Sequence, residues 1–130
     1  MAATPSFIGT PIIGSAAIST ANTDRTGTTG TVGTLVTGTT NGTRVNRVTI
    51  VATGSTTAGN VRLYVNSGSS ANNRLIYDVP VTAITAAAGT QQFTAVVNFS
   101  EGLVIPSGYK LECATHIAET FHVVASGGDL

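Results

Sequence analysis

The chain has 130 residues, six of them basic and six acidic, with a single cysteine and no tryptophan. That length suits one domain able to bury roughly two thirds of its unfolded surface, and a second domain would have no core. One cysteine excludes an intrachain disulfide. Five scattered arginines and the lone Lys110 argue against a nucleic-acid binder, and no apolar run approaches a membrane span. Thr, Val and Ile supply 23, 14 and 9 residues, more than a third of the chain. Such β-branched side chains are stiff at χ1 and fit a pleated sheet better than a helix, so an all-β fold is expected.

Residues 1–25 read as an extended N-terminal arm. Pro5 and Pro11 interrupt it, and one strand is expected near Ile12 to Ile18. The stretch lacks a basic n-region, so no secretory signal is read there, and the sequons at Asn41 and Asn98 are taken as chance matches. Residues 26–130 then form the β-sandwich domain. "TGTTGTVGTLVTGTTNGT", residues 26–43, resembles low complexity, but its centre "TVGTLVT" is expected as a strand whose glycines admit a close neighbour. A phosphate-cradling loop would need a following lysine and a strand-to-helix transition, and the stretch has neither.

From Arg44 on, strands recur at sandwich spacing. "RVNRVTIVATG" places Val48, Ile50 and Ala52 on one face, and "NVRLYVN" alternates Val61, Leu63 and Val65 inward against Arg62 and Tyr64 outward. "RLIYDVPV" puts Leu75, Tyr77, Val79 and Val81 on one face, and Pro80, which cannot donate to a ladder, marks an edge or a strand end. "TAITAAAGT" is a loop. "QQFTAVVNFS" aligns Phe93, Ala95, Val97 and Phe99; "EGLVIPSGYKLECAT" holds a short strand, a turn at Pro106 and Gly108, and a longer strand from Tyr109; "ETFHVVAS" closes the set. About eight strands and no amphipathic helix favour an antiparallel, jelly-roll-like sandwich.

Cys113, His116, Glu119 and His122 fall within ten residues. On a helix they lack the i, i+4 histidine pair of a zinc site. On one strand His116 would lie about 20 Å from His122, with Glu119 on the opposite face. A hairpin fits better, with "HIAE" as the connection, Thr115 facing Thr120 and Cys113 facing His122. Such a pair offers a thiolate with a base, or two soft metal ligands. Catalysis also needs an orienting group and oxyanion donors, and the sequence supplies neither. The reading is therefore structural: a half-buried Cys113, a solvated turn histidine and a sheet-face histidine, with no catalytic, cofactor or metal residues assigned. Asp24, Asp78, Glu101, Glu112 and Asp129 are spread singly, without a converging pair. An outward Tyr64 could stack on a sugar, but serves more often in an interface.

"LVIPSGYKLECAT" with "AETFHVVASGGDL" resembles the C-terminal hairpin of small β-sandwich proteins from tailed-bacteriophage particles, among them capsid decoration or cement proteins. The resemblance covers roughly the last 30 residues, and "GGDL" after the last strand is its most distinctive part. It implies a structural virion protein, assembled in the host cytoplasm, that forms a homo-oligomer, often a trimer, and clamps the major capsid protein on the outer face of a shell. It implies no enzyme activity and no cofactor. A tail, neck or fibre-associated protein that binds a receptor or a glycan would share the same sandwich and composition.

Overall fold

The computed structural model describes residues 9–69 and 72–130, and residues 1–8 of the expected arm lie outside that range. Eight strands follow in order: β1 (Thr10–Ile18), β2 (Gly33–Thr37), β3 (Thr43–Ala52), β4 (Gly59–Asn66), β5 (Asn73–Val81), β6 (Thr94–Ile105), β7 (Lys110–Thr115) and β8 (Phe121–Asp129). They form two antiparallel four-stranded sheets, sheet I in the order β1-β8-β3-β6 and sheet II in the order β2-β7-β4-β5. Only the β4–β5 connection stays within a sheet; every other connection crosses from one sheet to the other.

The alternation read from the sequence produces the core. Val48, Ile50, Phe121 and Val123 of sheet I meet Val61, Leu63, Leu111 and Cys113 of sheet II, all without exposure. Each fully buried aliphatic side chain of this kind contributes about 1.5–3 kcal/mol. Phe93 and Phe121 close one end edge-to-face, their rings 6.3 Å apart and perpendicular.

The strand expected near Ile12 to Ile18 is present as Thr10–Ile18, which pairs along its whole length with β8 and is an edge strand of sheet I. Two strand readings need correction. "GLVI" is not a separate short strand: β6 continues through it, after an irregularity in which Asn46 alone spans the step from Leu103 to Asn98. "GGD" does not follow the last strand but ends it. Gly127 pairs with Val45 under the carbonyl of Arg44, where a Cβ has no room. Thr43 Oγ1 then donates to Asp129 Oδ1 at 2.7 Å and fastens the strand end.

Sheet II departs from simple alternation in β5. Leu63 faces Tyr77 and the next residue, Tyr64, faces Leu75, so Ile76 is an extra residue in the ladder. That bulge moves Leu75 to the outer face, away from Tyr77, Val79 and Val81. Pro80 sits on this strand, which is the edge its missing N–H requires.

Candidate functional site

The C-terminal cluster does not assemble. β7 lies between β2 and β4 in sheet II, whereas β8 lies between β1 and β3 in sheet I, so the two strands form no hairpin. Both sit at the centre of a sheet, and residues 116–120 carry the chain across the sandwich between them. Cys113 faces Gly33 and Leu63 rather than His122 and is fully rather than half buried. Burial, and after it the charge of Glu112, pushes its thiol up to about 12, so it stays neutral and is a poor nucleophile. His122 is exposed on the outer face of sheet I between Ala17 and Val51. His116, expected to be solvated, is half-buried: its N–H donates to the Asn60 carbonyl at 2.9 Å, and Nδ1 is enclosed without a hydrogen-bond partner. Glu119 accepts from the Thr57 N–H and hydroxyl, both at 3.0 Å, and ties the crossover to the β3–β4 loop. Among the described residues no three His, Cys, Asp or Glu side chains gather where one metal ion could sit.

Two sheet faces turn away from the core, and they are finished differently. Over sheet II the β1–β2 connection, residues 19–32, folds back as a cover. Ala21 forms a parallel bridge to Thr115, and the Asn22 side-chain amide donates to the carbonyls of Thr29 and Thr31, both at 3.0 Å. Asp24 gathers the next turn by accepting from the Thr26 and Thr29 hydroxyls and from their N–H groups. These bonds, the Thr26 hydroxyl first and the Thr29 hydroxyl next, hold its carboxyl well below the usual carboxylate range.

Beneath this cover lie the side chains expected to point outward into solvent. Arg62 and Tyr64 do point outward, but both are buried, because the cover replaces solvent above them. The Tyr64 hydroxyl donates to the Arg25 carbonyl at 3.2 Å, and burial raises its pKa. Asn73 Nδ2 reaches the Gly27 carbonyl at 2.6 Å, and Asn66 Nδ2 reaches Asn73 Oδ1 at 2.7 Å. Thr34 Oγ1 donates to the buried Glu112 at 3.0 Å. Arg25 pairs with Asp78 at 2.6 Å over the rim, and the Arg62 Nε lies 3.8 Å from the same carboxylate. Gly27 passes directly over the Tyr64 ring with φ of 69°, and a Cβ there would stand 2.7 Å from ring carbons. Tyr64 is therefore not available to stack on a sugar.

Sequence reasoning missed this cover. The usable signal was "DRTGTT", an Asp followed by hydroxyls at the second, fourth and fifth positions and by an interposed glycine, which is the chemistry of a side-chain-capped turn.

Sheet I is bare. Its outward rows, read across β1, β8, β3 and β6, are Ala17–His122–Val51–Thr94, Ser15–Val124–Thr49–Val96, Ile13–Ser126–Arg47–Asn98 and, beyond the irregularity, Pro11–Gly128–Arg44–Val104. They contain no carboxylate and two arginines, both toward one end, and most of their side chains are short, so the face is broad and carries little charge. Ile13 is 76% exposed and Val96 49%. A shallow depression of about 320 Å³ runs between β1 and β8, beside Ser15, Ala17, His122 and Val124. No protein-family model matches the chain, and comparison with curated proteins finds no match either.

Proposed function

We propose that the protein is a structural component of a virus particle, a decoration or cement protein that binds the outer face of a phage shell and stabilises it. The observation that carries this reading is the bare outer face of sheet I, four strands wide, with mostly short side chains and no carboxylate in its rows. A face of that kind suits many weak, mostly uncharged contacts repeated by symmetry. Avidity then turns modest affinity per subunit into lasting attachment. The strand order supports the same reading by fold-level analogy: β1-β8-β3-β6 facing β2-β7-β4-β5 is compatible with a jelly roll, an architecture recurrent in viral capsid domains. The resemblance of residues 103–130 to virion sandwich proteins adds to it, although the hairpin that suggested it is a crossover here.

The partners in this reading are the major capsid protein and sister copies of the chain, on particles assembled in the host cytoplasm. Particles made without the protein are expected to form but to rupture at lower temperature, measured by release of packaged nucleic acid on heating. Shells of unchanged robustness that fail to adsorb to cells would instead place the protein in the tail or receptor apparatus. One feature favours that second reading, in which the protein binds a glycan: Tyr109, Asn72, Ser67 and Arg74 line a depression of about 210 Å³ and combine an aromatic ring with amide, hydroxyl and guanidinium donors.

A further inference from the structure

Each sandwich edge exposes main-chain groups, and three of the four edges carry a device against pairing with another chain. β1 contains Pro11 and packs along β2; β2 is five residues long and shifts register between Thr34 and Val36; β5 has the bulge at Ile76 and Pro80. The first half of β6 has none. Residues 94–98, "TAVVN", pair regularly with Val51 to Arg47 of β3 and include no charge, no proline and no glycine.

Hydrogen-bond alternation tells which of their main-chain groups are free. The Phe93 carbonyl accepts from the Ala52 N–H at 2.9 Å, so Phe93, Ala95 and Val97 direct their main-chain groups toward β3. Thr94, Val96 and Asn98 therefore direct N–H and C=O away from the sheet. Among the described residues no side chain or loop engages the N–H of any of the three.

We propose that this edge pairs antiparallel with the same edge of a second copy, about a two-fold axis through Val96. In that register Val96 exchanges both hydrogen bonds with Val96 of the second copy, Thr94 does so with Asn98, and Asn98 with Thr94. Every outward main-chain group of the segment finds a partner, and the side chains stay in register: Thr94, Val96 and Asn98 remain on the outer face, while Ala95 meets Val97 on the inner one. A strand is the chemical complement of these groups, and the segment is complementary to itself. No like charges meet. The dimer has a single eight-stranded sheet whose bare face is twice as wide as that of one copy. It is a two-fold contact, so it does not by itself close the trimer expected from the sequence, and it holds whether or not the protein works on a virus shell.

Analytical ultracentrifugation of the whole chain tests the axis. The wild type is expected to sediment at about 26 kDa, twice the 13.1 kDa chain. Val96→Lys and Val96→Glu each place like charges directly opposite themselves, and each is expected to weaken association at least about tenfold. An equimolar mixture of the two is expected to restore the dimer, because only a self-opposed residue converts two repulsive variants into an attractive pair. Val96→Cys gives a second readout that needs no folded-state repulsion. Opposed Cα atoms about 5.5 Å apart lie within disulfide reach, so mild oxidation is expected to yield a covalent dimer. A wild type that sediments only at 13.1 kDa at micromolar concentration, or only as a trimer, overturns the proposal. So does a dimer indifferent to both charged variants, a mixture that stays monomeric, or a Val96→Cys chain that does not cross-link.

Discussion

The outer faces of the two sheets begin from similar sequence patterns and end as opposites. β3 and β4 both alternate apolar residues with Thr, Arg, Asn or Tyr, and sequence alone reads both outer faces as solvated. On sheet II the 19–32 connection covers that face, so Arg62, Tyr64, Asn66, Asn73 and Glu112 become an interior polar layer. On sheet I nothing among the described residues covers it, and most of its side chains stay small and carry little charge. Buried polar groups are costly unless they find partners; here the main chain of the cover accepts from Arg62, Tyr64 and Asn73, while the side chains of Asn73 and Thr34 bond Asn66 and Glu112. The larger and more functional-looking side chains are therefore the structural ones. Among the described residues the plain face is the one left uncovered.

The covered face is expected to give the largest stability losses. Tyr64→Ala removes a ring with no exposure and leaves a cavity under the cover, a loss of about 3–5 kcal/mol. Tyr64→Phe keeps the ring but removes the donor to Arg25, a loss of about 1 kcal/mol. The two midpoints in urea denaturation separate packing from hydrogen bonding. If Tyr64→Ala costs no more than Tyr64→Phe, the cover does not pack on the ring.

Next comes Gly27→Ala, which forces a left-handed backbone on a residue with a Cβ and pushes that Cβ against the Tyr64 ring. A loss of about 2–4 kcal/mol is expected from the two effects together, again read from the urea midpoint. Combined with Tyr64→Ala, the same substitution should cost clearly less, because the ring it meets is gone. A double-mutant cycle measures that coupling.

The cover also carries a pH signature. Asp24 has a lower pKa folded than unfolded, so the folded state binds its proton more weakly. Its contribution is fully present above the unfolded value, about 3.9, and is lost only as pH falls from there through the lower folded value. The wild type is expected to be more stable than Asp24→Asn by a constant margin from neutral pH down to roughly pH 5, with the margin shrinking below about pH 4. A margin that instead changes between pH 5 and 8 would mean another group dominates.

The bare face should show the smallest stability effect. Thr49→Glu, in the middle of its outward rows, is expected to shift stability by no more than about 0.5 kcal/mol. A much larger loss would mean that the face is packed in the isolated protein.

Much of the fold was legible because alternation and turn chemistry are local. Val48, Ile50, Ala52, Val61 and Leu63 fell on the core face as their period predicts, and Pro80 fell on an edge strand. What could not be read locally was which sheet each strand joins. Cys113 and His122 were paired because two strands with a short link form a hairpin by default, yet here β7 and β8 each fill the centre of a different sheet, which is a property of the whole topology. The burial of Tyr64 and Arg62 was hidden for a related reason. The residues that cover them lie about 40 positions earlier, in a Thr/Gly stretch whose composition resembles a linker. The bulge at Ile76 similarly arises from pairing with β4 and leaves no mark in the alternation of β5 itself.

Under the proposed shell-binding function, the division of labour between the faces is tested most directly by retention on virus shells, scored by co-sedimentation of purified protein with particles that lack it. Thr49→Glu on the bare face is compared with Arg25→Ala on the exposed rim of the cover, both confirmed as folded by circular dichroism. Thr49→Glu is expected to lose retention by at least about tenfold while Arg25→Ala stays on the shells like the wild type, since a charge buried without a partner at an interface costs more than 1.4 kcal/mol. Retention unaffected by Thr49→Glu, or lost with Arg25→Ala alone, would contradict that division.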